Sequence, residues 1–174
     1  MYKRQIATLL RAGLLKGSFI PDKTFRELRH LTRYRKSIVR DITAQKNRID
    51  KFLQSSGFRF TAFLSDAFGA SGRNIIRHLM EYGNISREAL DRCLKTQTRK
   101  RIDEILIALN GSLSEHQRGF LRMIFGHLEA LEQHRHTVED AITKEITKHE
   151  EALSLLCSIP GIDVTAAAAI LSLI

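Results

Sequence analysis

The sequence has few residues that break a helix and few that could form a covalent framework. Its 174 residues include two Pro, ten Gly, two Cys and no Trp. With so few breakers, long stretches of the chain can stay helical. No segment keeps up the alternation of apolar and polar residues that is typical of strands. We therefore predict an all-α fold.

The two cysteines, Cys93 and Cys157, are isolated from each other and from histidines at metal-ligand spacing. This pattern indicates neither a zinc site nor a disulfide framework, and we expect both to be buried as small apolar side chains. The sequence also has no run of 18 apolar residues and no signal-peptide core. We expect no membrane partner and a location in the cytoplasm, associated with the nucleoid.

Positive charge is abundant, and its excess lies near the amino end. Residues 1–51 hold 14 Lys and Arg against 4 Asp and Glu, whereas residues 52–174 hold 14 and 15. The net charge of +9 is therefore a property of one segment. An excess of this kind attracts polyanions such as nucleic acids.

A long helix is predicted within this basic segment. Pro21 breaks the preceding structure, Asp22 or Thr24 can cap the new helix (Glu27 completing a capping box with Thr24), and Ser55-Ser56-Gly57 ends it. Its core positions follow a seven-residue repeat that is typical of a coiled-coil seam. The two sets of core positions are Leu28, Arg35, Ile42 and Ile49, and Leu31, Ile38, Gln45 and Phe52.

A second long helix, from Ser114 to about Ser158, has the same repeat. Its apolar positions are Leu121, Ile124, Leu128, Leu131, Val138 and Ile142, continuing through Ala152 and Leu156. The two helices can pair antiparallel within the chain or pair with copies in another chain. We favour a long antiparallel coiled-coil hairpin within the chain, because closure entropy grows slowly with loop length.

Residues 57–111 are predicted to form a small helical insert that caps the tip of the hairpin. The expected helices are 61–68, 71–82, 86–94 with Ser86 as cap, and 98–109. After the turn at Pro160-Gly161, an Ala-rich apolar helix begins, and we expect the chain to stop inside a domain. That turn resembles the phosphate-binding turn of a helix-hairpin-helix, but Asp163 stands where the second Gly is usual, so a plain interhelix turn is equally expected.

The candidate binding residues form a basic face on the first long helix. Arg26, Arg29, Arg33, Lys36 and Arg40 step by three or four residues, which places them on one stripe. The predicted site residues are Lys23, Arg26, Arg29, Arg33, Arg35, Lys36, Arg40, Lys46 and Arg48, and the basic face also includes Lys51. We predict contacts with a phosphate backbone, without base readout.

The competing interpretation is a solvated face whose cations pair with acids of the second long helix. The available acids there are Glu129, Glu132, Glu139, Asp140, Glu145, Glu150 and Glu151. No residues are identified as catalytic or metal-binding, because the seven His lie mostly on helix surfaces without a third ligand in register, and adjacent acidic pairs diverge in direction. A metal-dependent nuclease would need a convergent acidic cluster that the sequence does not show.

Several blocks of the sequence resemble the transposases of the IS110 class of bacterial insertion sequences. They are the run from Ile6 to Pro21, Arg26-Glu27-Leu28-Arg29, residues 31–35, Asn47-Arg48-Ile49, residues 64–73, and Ile159-Pro160-Gly161-Ile162. The resemblance implies a guide-RNA-directed DNA recombinase with a RuvC-like DEDD domain that binds divalent metal, a coiled coil, and a domain carrying a serine nucleophile.

By this resemblance, residues 1–21 are the tail of the first domain, 22–158 the coiled-coil region, and 159–174 the start of the third domain. Both catalytic motifs fall outside the chain, so we expect it to contain neither catalytic residues nor a cofactor of its own. We expect a scaffold that binds DNA or structured guide RNA and forms a homodimer or higher oligomer. The alternative is a structural oligomerisation module without nucleic-acid binding.

Overall fold

The computed structural model describes residues 2–14, 22–64 and 66–173, without the side chain of Tyr2. Every regular element in these ranges is helical, which confirms the all-α prediction. The predicted break at Pro21 lies outside the described residues. In chain order the helices are α1 (Tyr2–Arg11), α2 (Lys23–Ser55), α3 (Ala70–Tyr82), α4 (Arg87–Cys93), α5 (Thr96–Arg99), α6 (Ile102–Ile107), α7 (Glu115–Ile146), α8 (Glu150–Cys157) and α9 (Val164–Leu171), with 3₁₀ turns at Phe60–Phe63 and Thr147–His149.

Helix α2 matches the predicted long helix within one residue at each end. It begins one residue earlier than Thr24, which therefore lies inside the first turn, while the main-chain oxygen of Asp22 accepts from Arg26 N at 3.1 Å. At the other end, Gly57 takes a φ of +88°, a left-handed conformation that favours glycine. The local stop signals therefore predict where this helix ends.

The chain divides into two compact units. The first unit comprises Met1–Arg33 and Ala141–Ile174, and the second comprises Tyr34–Asp140. Helices α2 and α7 each contribute residues to both units. The predicted coiled-coil repeat over the whole length of both helices therefore stays a prediction, and each unit is described by itself.

In the second unit, the α2 segment packs against α7 with the two helices antiparallel. Arg35 contacts Glu139, Gln45 contacts the main chain of Ile124, and Phe52 contacts Phe120, so partners run in opposite order along the two helices. The predicted seam residues supply the buried side chains between them. On α2 these are Ile38, Ile42, Gln45 and Ile49, joined by Leu53, and on α7 they are Leu121, Ile124 and Leu128.

Helix α3 of the insert lies alongside α7. The insert is therefore not confined to the tip of the hairpin, where it was predicted to form a cap. Arg73 and Arg77 pair with Glu132 and Glu129, and further along α3 the main-chain oxygens of Met80 and Glu81 accept from Arg122 and Arg118. The order of these partners is again antiparallel. Helix α7 is thus contacted by α2 and by α3.

The helices of the insert match the prediction only in part. Helices α3 and α4 occur as predicted, with Gly83 at φ +79° ending α3 and the Ser86 side chain accepting from Ala89 N at the start of α4. The predicted helix 61–68 is wrong, because the described residues of this stretch form a 3₁₀ turn at Phe60–Phe63 and no α-helix. The buried rings of Phe58 and Phe60 hold this stretch in the core instead. The predicted helix 98–109 is divided into α5 and α6.

The first unit contains α1, α8, α9 and the ends of α2 and α7. Its buried apolar side chains among the described residues are Leu28, Ile142, Ile146, Ala167, Ala168 and Leu171. The guanidinium of Arg29 donates to the main-chain oxygen of Ser172 at 2.6 Å, and the rings of Phe25 and His149 stack with centroids 4.5 Å apart. The Ala-rich α9 forms as predicted, and its residues Ala167, Ala168 and Leu171 are buried in this unit.

Two further expectations need correction. The second long helix does not run unbroken to Ser158, because the 3₁₀ turn at Thr147–His149 separates α7 from α8. The cysteines are free thiols, but neither is buried: Cys93 is half-buried and Cys157 is exposed.

Candidate nucleic-acid interface

Three cations of the second unit form what we call the outer stripe, Lys36, Arg40 and Lys51. All three are exposed, and they lie on the face of α2 opposite to the buried Ile38, Ile42 and Ile49, as 3.6 residues per turn requires. Lys36 and Arg40 are one helical turn apart, about 6 Å along the axis. Because α2 buries its other face against α7, the stripe points into solvent.

No carboxylate neutralises the outer stripe within the described residues. The ion pairs formed there, at N–O distances up to 4.0 Å, involve neither Lys36, Arg40 nor Lys51. Two of the acids proposed as partners, Glu129 and Glu132, pair instead with Arg77 and Arg73 of α3. The competing interpretation, a self-neutralised coiled coil, therefore does not describe this face.

Other predicted site residues of the second unit are engaged with the protein. Arg35 pairs with Glu139 at 2.7 Å and is half-buried towards α7. Lys46 lies over the ring of Phe68, 5.5 Å from its centroid, and Arg48 donates to the side chain of Gln45. Arg48 remains exposed, whereas Arg35 faces the interior. Arg35 therefore serves packing rather than the outer surface.

The first unit carries the remaining predicted cations. Arg26 and Arg33 are exposed and form no ion pair with the described residues, and Lys23 is exposed but lies 3.7 Å from Glu27. Arg29 is half-buried and bonded to Ser172. Arg26 and Arg33 are therefore the open positive charges of this unit on the predicted stripe.

The turn before α9 is a poor phosphate site. Gly161 takes a φ of +88°, but the carboxylate of Asp163 accepts from Ala166 N at 2.7 Å and so occupies the first turn of α9. A carboxylate at this position repels phosphate. The geometry supports the plain interhelix turn.

The described residues offer no metal centre. They contain no group of three or more His, Cys, Asp or Glu side chains able to hold an ion. The acids of the basic segment, Asp22, Glu27, Asp41 and Asp50, are spread along the start and length of α2 and do not converge. The residues present therefore do not fit the divalent metal that the family resemblance implies, and no chemical step is assigned to them.

A second group of polar residues, between α3 and α4, was not predicted from the sequence. Asn74, His78 and Tyr82 lie on one face of α3, and Arg92 of α4 lines the same depression. Asn74, His78 and Tyr82 follow one another at intervals of four residues, and this spacing is the sequence signal that could have identified the group. Its weakness is that polar residues at this spacing are common on solvated helices.

Residues 4–57 match the family model of the IS110-class DEDD transposases, described as "Transposase". This segment includes α2 with its basic residues. No curated protein and no solved structure matches the chain. None of the helices described here is long and apolar enough to span a membrane. Residues 4–57 are thus similar to the IS110-class transposases, and this match supports a protein related to transposition.

Proposed function

We propose that this protein is a nucleic-acid-binding scaffold of a DNA transposase, and that α2 holds the phosphate backbone of DNA or of a structured guide RNA. The outer stripe binds phosphates from the second unit, and Arg26 and Arg33 bind them from the first. In this proposal the protein acts in the bacterial cytoplasm, at the nucleoid. The divalent metal belongs to a catalytic domain other than the helices described above.

One observation carries this proposal: the cations of the outer stripe stay unpaired while nearby acids pair with α3. Like charges one turn apart on a helix repel each other, which is unfavourable unless an anion neutralises them. A nucleic-acid strand supplies a line of phosphates and gains affinity by releasing its condensed counterions. Unpaired cations facing solvent on a transposase-family helix are therefore best explained by a polyanionic partner.

The salt dependence of binding tests the proposal. With about six phosphate contacts, log affinity should fall against log salt with a slope near −5 for duplex DNA. The measurement is fluorescence anisotropy of a labelled duplex and a labelled RNA hairpin, titrated with the whole chain between 50 and about 200 mM salt. Absence of binding at low salt, or a slope near zero, would refute it.

The alternative is an oligomerisation module in which the repeats pair between chains. In the second unit, the seam of α2 is already buried against α7 of the same chain, so these residues are not free to pair with a copy. Dimerisation, which we retain as part of the proposal, must then use another surface. Sedimentation of the chain with and without RNA distinguishes the two: the alternative expects a dimer whose mass is unchanged by RNA.

A further inference from the structure

An open depression of about 610 Å³ lies between α3 and α4 in the second unit, away from the outer stripe. Pockets of about 300–1,000 Å³ are the size that holds small organic ligands. The side chain of Asn74 donates to the main-chain oxygen of Cys93 at 3.4 Å, which joins α3 to the end of α4. The floor of the depression is thereby held by two well-formed helices.

One wall of the depression is an aromatic surface. The rings of His78 and Tyr82 lie with centroids 4.5 Å apart and planes tilted by 34°, and Tyr82 is 59% exposed. Burial, followed by the charge of Arg92, lowers the pKa of His78 against the opposing effect of Glu81, so its ring is neutral at pH 7. A neutral, half-buried imidazole supporting an open phenol ring offers a flat face for stacking.

The depression also carries a positive charge and hydrogen-bonding groups. Arg92 is exposed, and no carboxylate of the described residues lies within ion-pair distance of it. Asn84 and Glu81 also line the depression and provide an amide and a carboxylate. The thiol of Cys93 lies here too, but burial raises its pKa, which leaves it protonated and unreactive.

We infer that this depression binds one unpaired nucleotide of a nucleic-acid strand, with the base stacked on Tyr82 and a phosphate paired with Arg92. Aromatic stacking with a nearby cation is how proteins hold unpaired bases, and it tolerates any base because every base has a flat face. The inference rests on the proposed function for its partner. It adds a contact that a perfect duplex cannot make, since paired bases are not available for stacking.

Tyrosine fluorescence gives a direct test, because the chain has three Tyr and no Trp. In a whole chain carrying Tyr2→Phe and Tyr34→Phe, Tyr82 is the sole reporter. A five-nucleotide oligoadenylate RNA should quench it saturably, and AMP at the same nucleotide concentration should quench it at least about tenfold more weakly. Free tyrosine at the same concentration, titrated with the same nucleotides, corrects for the light that the nucleotides absorb.

The possible outcomes distinguish the nucleotide site in the depression from the proposed function of the protein. Equal affinity for AMP and the oligonucleotide would show a site for free nucleotides and overturn the inference. No quenching of Tyr82, while anisotropy still shows salt-dependent binding, would overturn the inference and leave the proposed function standing. No quenching and no binding at low salt would overturn both.

Two pairs of variants test the roles of the walls. Tyr82→Ala should weaken binding of the oligonucleotide about tenfold, and Tyr82→Phe, which keeps the ring, should bind like the native chain. Arg92→Gln should weaken it more than Lys100→Gln, which removes the same charge from an exposed position that does not line the depression. Equal losses for Arg92→Gln and Lys100→Gln would contradict a specific phosphate contact.

Discussion

The side chain of Gln45 donates a hydrogen bond to the main-chain oxygen of Ile124 at 2.6 Å, within the contact between α2 and α7. Gln45 is 2% exposed, and its own oxygen accepts from Arg48. A buried polar contact of this kind specifies which residues of two antiparallel helices face each other.

Gln45→Ala should lower the free energy of unfolding by about 1–3 kcal/mol, because it removes both the hydrogen bond and the packing of the side chain. Gln45→Leu keeps the volume, and the oxygen of Ile124 can keep its bond within α7. This variant should therefore stay within about 1.5 kcal/mol of the native chain. Urea denaturation of both variants checks the prediction, and an alanine variant as stable as the native chain would contradict it.

Two ion pairs between α3 and α7 should differ in strength because they differ in burial. Arg73 binds both oxygens of Glu132, at 2.6 and 2.8 Å, with both side chains about one-fifth exposed. The Arg77–Glu129 pair is about half exposed. Glu132→Ala should cost about 1–3 kcal/mol and Glu129→Ala less than about 1 kcal/mol. Equal shifts of the urea midpoints would show that burial is not the deciding factor.

Replacement by alanine should change the stability of the chain in opposite directions at two glycines. A methyl group at Gly72 would overlap the main-chain oxygen of Ala67, so Gly72→Ala should destabilise the chain by about 1–3 kcal/mol. A methyl group at Gly126, within α7, meets nothing within 4 Å. Gly126→Ala should stabilise the chain by about 0.5–1 kcal/mol, since alanine is the better helix former. Thermal unfolding followed by circular dichroism measures both, and a stabilising Gly72→Ala would contradict the close approach of Gly72 to Ala67.

His78 should make stability depend on pH. Burial is the largest cause of its lowered pKa, so the unfolded chain binds a proton more readily than the folded one. The contribution of His78 to stability is then fully present above about pH 6.5 and is lost as the pH falls through its lower folded pKa. Native chain and His78→Gln should therefore differ in urea midpoint by an amount that changes between pH 7.5 and 5. A constant difference would refute this role.

The sequence predicts local structure well where a single residue type decides it. Gly57 and Gly83 end helices because glycine readily adopts positive φ, and Ser86 begins α4 because its side chain accepts from a free main-chain N–H. The stretch after Phe58 is different. Its apolar spacing resembles a helix, but the deep burial of Phe58 and Phe60 comes from contacts with distant parts of the chain, which spacing does not reveal.

For the candidate site, too, the sequence predicts local geometry but not contacts between distant parts of the chain. Periodicity places Lys36, Arg40 and Lys51 on the solvent face of α2, because one helix face follows from 3.6 residues per turn. It does not reveal that Arg35 pairs with Glu139, a residue 104 positions away. Nor does it reveal that Arg73 and Arg77 pair with Glu132 and Glu129, two of the acids named as possible partners of the basic face. Those pairings depend on tertiary packing.

The most direct test of the account compares two triple variants of equal charge. Lys36→Gln, Arg40→Gln and Lys51→Gln remove the outer stripe, whereas Arg87→Gln, Arg99→Gln and Arg101→Gln remove cations that pair with Asp103, Asp91 and Glu104. Binding to a labelled RNA hairpin is measured by anisotropy over a range of salt. The account predicts that the first variant loses at least about tenfold in affinity and that the magnitude of its salt slope decreases by about two to three. The second variant should change little in either quantity. Equal losses in both would show that net charge alone drives binding and would contradict the account.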